Sequence, residues 1–164
     1  MLAPPVNRAI QIHVRLLNEG TDCWRPVSAT PLGSDLFRIE SVRPGDEQWE
    51  FPSGAVVRCQ SHTFAGGESG LRAFAFAPST SPAEYLAAEL EQLMALPLIT
   101  PADVEQWDAE STAVQHALEH HFTTFRAAHE VWHFFSDADI RAREVGYRER
   151  QHRIMSEYVQ RLRM

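Results

Sequence analysis

The sequence predicts an α+β protein: a small antiparallel, SH3-like β-barrel over residues 1–78, then a three-helix region over 79–164 containing an antiparallel helix hairpin. Three observations predict it. Short runs of alternating apolar and polar residues, separated by turn-forming segments, continue as far as Phe76. The linker "APSTSP" interrupts that pattern, and helix-start signals recur beyond it. Charge then divides along the chain, with an acidic stretch followed by a basic one.

The strands follow in order. "IQIHVRL" places Ile10, Ile12, Val14 and Leu16 on one face and Gln11, His13 and Arg15 on the other. "DCWRPVSA" comes after the turn "NEGTD", and "DLFRIESV" after "PLGS". "WEF" leads through "PSG" into "AVVRCQSHTF", and the glycine-rich "AGGESG" turns the chain into "LRAFAFA". Short strands at this spacing suit a small barrel. In it Trp24 and Trp49 are expected as core or rim aromatics, with an exposed platform for a peptide or single strand as the alternative.

"LLNEGTDCWRPVSATPLGSDLFRI", followed by "WEFPSGAVVRCQ", resembles a family of short, uncharacterised bacterial β-domain proteins. Their shared pattern is a leading strand, an EGT-x-x-W-R-P-V stretch and a later W-x-F-x-x-G-x-V-V-R-C stretch. The resemblance covers residues 10–77 and implies no activity, so it assigns no functional residue. Its members end near the last strand, and the rest of this chain departs from their pattern.

Beyond the linker, "SPAE" offers Ser81 as an N-cap, Pro82 at the first helical position and Glu84 to complete a capping box. "TPAD" repeats the arrangement with Thr100, Pro101 and Asp103, and "SDAD" offers a third start at Ser136. These signals predict helices over 82–95, over 101–135 with a break near Asp108–Ser111, and over 137–162. Residues 83–130 carry nine carboxylates against Arg126 alone, whereas residues 137–164 carry seven arginines against five carboxylates. Complementary flanks of this kind suit two antiparallel helices turning at Ser136. Ile140, Tyr147, Ile154, Tyr158 and Leu162 would form the apolar stripe of the second.

Composition narrows the function classes. The 164 residues have a net charge of -7 and no lysine, which disfavours a phosphate-backbone binder. The barrel half is near neutral, and its aromatics therefore favour a protein ligand over a nucleic acid. No apolar run reaches the roughly 20 residues that span a bilayer. "MLAPPVNRAI" lacks the apolar core of a signal peptide, so a cytoplasmic location is expected. Cys23 and Cys59 are too few for a disulfide framework or a zinc cage and are expected as buried free thiols. "AGGESG" lacks the lysine of a phosphate-binding loop, and no orienting acid accompanies Ser61, His62 or Cys59.

The chemistry worth testing lies in "HEVWH", residues 129–133, a literal H-E-x-x-H. In zinc peptidases two imidazoles one turn apart hold the metal and the adjacent glutamate activates its water. That reading makes His129 and His133 ligands and Glu130 the base, and it requires a third ligand. If the helices turn at Ser136, Glu144 returns level with His129 and could fill that role. The same placement has a simpler meaning, a histidine–glutamate hydrogen bond holding two helices in register without metal. On a continuous helix His129 and His133 border the apolar stripe of Trp107, Val114, Leu118, Phe125 and Trp132, and His116 and His120 lie on the polar side. His121 flanks the stripe, whereas His13, His62 and His152 join no recognisable constellation. The preferred expectation is a non-catalytic protein-binding module, of adaptor or acidic inhibitor and immunity type, able to form homo-oligomers and requiring no cofactor. The alternative is a zinc-dependent hydrolase centred on HEVWH.

Overall fold

The structure, a computed structural model, describes residues 8–164. The first seven residues, on which the leader reading largely rests, lie outside that range. The fold is α+β, and the chain divides into two compact units, Met1–Thr80 and Ser81–Met164.

In the first unit β1 (Ile10–Leu16), β2 (Cys23–Gly33), β3 (Leu36–Ile39), β4 (Val56–Thr63) and β5 (Ser69–Phe76) pair in chain order, each antiparallel to the next. β1 also meets β5, closing the sheet into a barrel. Strand direction alternates in a meander, so a fifth strand runs the same way as the first. The closing pair, His13 with Arg72, is therefore parallel. Register shifts at Pro31/Gly33 and Arg58/Cys59 mark bulges, which bend and twist strands and so help five of them curl shut. The alternation in the sequence decides what faces inward. Ile12, Val14, Val27, Ala29, Ile39, Val57, Cys59 and Ala73 are buried, with Phe51 edge-on to Phe76 at 4.8 Å.

The second unit has five helices where three were expected: α1 (Pro82–Ala95), α2 (Pro101–His120), α3 (His129–Ser136), α4 (Ala138–Arg143) and α5 (Val145–Leu162). Ser81 caps α1 by accepting from the Glu84 amide, but the Glu84 carboxylate pairs with Arg163 instead of closing a capping box. Thr100 and Asp103 form the full reciprocal box of α2. α2 also runs unbroken through Asp108–Ser111. There the hydroxyls of Ser111 and Thr112 turn back onto the Asp108 carbonyl, which satisfies them without interrupting the helix.

The two breaks fall elsewhere. α2 ends at His120, and the amides of His121 and Phe122 both donate to the Ala117 carbonyl. The β-branched pair Thr123–Thr124 follows, a weak helix sequence, and Phe122 is buried beside Tyr85. The second break is at Glu144, whose extended backbone separates α4 from α5 just before Gly146. Redirecting the chain there allows α4 to insert Ala138 and Arg141 into the core, and α5 to insert Gln151, Met155, Tyr158 and Val159. Ala138, Met155, Tyr158 and Val159 join Leu86, Leu90, Trp107, Val114, Val131 and Phe134 in one core. The buried face of α5 is therefore rotated from the predicted stripe: Ile140, Tyr147 and Ile154 are only half-buried.

Candidate functional site

α3 begins abruptly. Ala128, its N-cap, has no side chain to cap with, and its backbone N–H donates to the Tyr158 hydroxyl at 3.0 Å. A contact from α5 thus anchors the chain where a capping residue would ordinarily do so. Val131, Phe134 and Phe135 are buried, which fixes the rotation of the helix and turns His129, Glu130, Trp132 and His133 outward. Trp132, expected to pack inward, is 37% exposed and sits edge-on to Phe135. The expectation failed because α3 is a separate helix, so the phase of α2 does not carry through to it.

The two histidines meet. Their Nε2 atoms lie 2.9 Å apart, with ring centres separated by 4.5 Å and planes nearly perpendicular. With both imidazoles neutral, one nitrogen donates and the other accepts. Glu144, expected on a helix level with His129, stands instead as the extended residue between α4 and α5. It lies exposed at the α4–α5 junction, and among the described residues its carboxylate makes no hydrogen bond or ion pair. Among the described residues, no third His, Cys, Asp or Glu joins His129 and His133 in a convergent ligand set.

Beside this pair α3 and α5 line an open pocket of about 320 Å³. Phe134, Ile154 and Met155 give it an apolar base, and Glu130, His133 and Arg150 supply its charged or titratable lining. Tyr147 and Gln151 also line it and continue into a part-buried polar network that reaches the buried Arg141. The Tyr147 hydroxyl donates to Asp137 at 2.5 Å, and the Gln151 amide donates to that hydroxyl at 3.0 Å. The hydrogen bond to Asp137 holds the Tyr147 phenol above its ordinary pKa. Behind Gln151 lies Arg141, completely buried. Its Nη1 donates to Gln151 at 2.6 Å and to the Phe134 carbonyl at 2.7 Å. Its Nε and Nη2 have no hydrogen-bond partner. The guanidinium instead lies over the rings of Trp107 and Phe134, 4.5 and 4.1 Å from their centres. Burial pushes its pKa down to about 10, against the opposing pull of Asp137, Tyr147, Asp108 and Asp139. Sequence reading missed this network because "IRAR" carries no mark that separates a buried arginine from a surface one.

The barrel carries a second group of side chains. Residues paired across neighbouring strands point to the same side. The register sets Arg15 opposite Trp24, Gln60 opposite Arg72, His62 opposite Gly70 and His13 beside Arg72. The half-buried Trp24 ring lies 5.4 Å from His62 and 5.6 Å from Phe64, with the Arg72 guanidinium 5.8 Å from its centre. Phe64 also touches His13, at 4.4 Å, and His62, at 4.7 Å. Gly70 forms the floor: a Cβ there would meet the His13 and Phe64 rings at 3.1 and 3.3 Å. Gly67, with φ of +87°, provides the left-handed turn that brings Phe64 back over the sheet. His13 and His62, which fell in no sequence constellation, thus belong to this ring cluster. Only strand register brings them together, and no local pattern announces it. Trp49, the other tryptophan considered for binding, is buried and donates its indole N–H to Glu47.

Both cysteines are free thiols; Cys59 is buried as expected, whereas Cys23 is half-exposed. No protein-family model matches the chain, no curated protein matches it, and no solved structure matches it. Among the described residues, no helix is long and apolar enough to cross a membrane.

Proposed function

We propose that the chain is a non-catalytic protein-binding module that recognises an extended peptide segment on the barrel face carrying Trp24. The observation that carries this reading is the grouping of Trp24, His62 and Phe64 on the outer side of the sheet, flanked by Arg15 and Arg72. Half-exposed rings offer broad, rigid apolar area at little entropic cost, and arginines beside them suit carboxylate or carbonyl groups of a bound chain. Small SH3-like barrels use aromatic surfaces in this way. Near-neutral charge in this half favours a peptide over a phosphate backbone. The hydrolase reading has less support, because His129 and His133 lack a third ligand among the described residues.

The test is site-specific photocrosslinking from position 72 in extracts of the native host, with Trp24→Ala as the control. A crosslinked protein that disappears in Trp24→Ala, while circular dichroism and melting stay unchanged, supports the proposal. A crosslink pattern indifferent to Trp24→Ala, or a variant that loses its fold, assigns the rings to sealing the barrel and overturns it.

A further inference from the structure

We propose that His129 and His133 form a two-nitrogen site for a late first-row divalent ion, with copper(II) the preferred occupant, beside the pocket between α3 and α5. Both side chains are exposed on one face of α3, four residues apart, and burial of Val131, Phe134 and Phe135 behind them fixes that face. Their Nε2 atoms already stand 2.9 Å apart, so one ion can touch both without backbone movement. Imidazole nitrogen is the ligand type that copper, nickel and zinc share.

The 2.9 Å contact is that of a hydrogen-bonded pair of exposed rings, and side-chain rotation opens it to the separation any of these ions requires. Intrinsic affinity therefore ranks the occupants, and copper(II) stands highest. Two protein nitrogens leave the remaining positions open to water or a small anion. The adjoining pocket, lined in part by Glu130, His133 and Arg150, has room for such a ligand.

The proposal is tested on the full-length, untagged protein by copper(II) titration in glycine as competing chelator, with pulsed electron paramagnetic resonance to count bound imidazoles. The expected result is an equivalent with two equatorial imidazoles supplied by His129 and His133, separate from any ion held at the His116–His120 pair. His129→Ala and His133→Ala should each weaken it by about tenfold or more. His116→Ala and His120→Ala, which disrupt the chain's other i, i+4 pair, should leave it unchanged, as should the fold measured by circular dichroism. Wild-type affinity retained in His129→Ala or His133→Ala would overturn the assignment. So would loss of the site in His116→Ala or His120→Ala, or a tighter equivalent for zinc than for copper(II).

Discussion

Arg141 shows how this helical core accommodates a cation without an ion pair. Its charge is met by two aromatic faces, a backbone carbonyl and the Gln151 amide oxygen, with the carboxylates of Asp137, Asp108 and Asp139 acting only through space. Such a residue is expensive to bury and equally expensive to remove, because its acceptors are left behind. Arg141→Met keeps the volume but orphans the Phe134 carbonyl and Gln151. It should destabilise the protein by about 1–3 kcal/mol. In the Arg141→Met/Gln151→Met double variant one of those orphans is gone. Urea unfolding of the four proteins in the cycle should give a coupling of about 1 kcal/mol or more. Additivity would mean that the two side chains stabilise the core independently and that the network is incidental. None of this was legible in the sequence, where Arg141 reads as one of seven arginines on a solvated helix. By contrast the alternation of Ile12 and Val14 announced their burial directly, because a period of two assigns each residue a side of the sheet.

At the scale of elements, what could be read depended on where each helix finds its cap. α1 and α2 carry their caps locally, at Ser81 and Thr100, and their starts were legible for that reason. α3, α4 and α5 have no side-chain cap, and α3 is anchored at its start by the Tyr158 hydroxyl from α5 instead. This is why one long helix was expected where α2 and α3 stand, and another where α4 and α5 stand. The consequence for the candidate site was direct: Glu144 was expected on a helix opposite His129 and lies at a junction instead. The HEVWH spelling correctly placed His129 and His133 one turn apart, since that relation needs only a single turn of helix. The anchoring of α3 can be tested through Tyr158, which is buried and accepts from the Ala128 amide. Tyr158→Phe keeps the ring and removes the acceptor. It should lower stability by about 1 kcal/mol, read in chemical denaturation. Amide exchange should accelerate at Ala128 and Val131, while protection in α1 stays as in wild type. Unchanged exchange at both amides would show that packing of Val131 and Phe134, not the hydroxyl, fixes the start of the helix.

Over the whole molecule the α+β class, the positions of the strands and the order of strands before helices were legible, because each rests on periodicity along the chain. What the chain does not encode locally is register across strands, and register assembles the Trp24 ring cluster and the parallel seam at His13 and Arg72. The same burial that makes the barrel has a consequence for stability against pH. Cys59 faces the interior, and burial, reinforced by Asp35, raises its thiol from the ordinary value of 9.0 to about 12. In the unfolded chain the thiol loses its proton near pH 9, whereas the folded barrel holds it until about 12. The folded state therefore binds more protons across that interval, and stability falls as pH rises through it. The contribution is complete below pH 9 and amounts to about 4 kcal/mol in all, with about 2 kcal/mol lost by pH 10.5. Tyr85, buried against Phe122 and raised well above its ordinary value, acts in the same direction at higher pH, whereas the depressed Arg141 acts in the opposite one. Stability curves of wild type and Cys59→Ala measured from pH 7.5 to 10.5 separate these terms. The two should run parallel to about pH 9 and converge above it, as wild type loses the contribution that the variant lacks. Curves that stay parallel to pH 10.5 would mean that the thiol titrates alike in both states and that solvent reaches Cys59 in the native barrel.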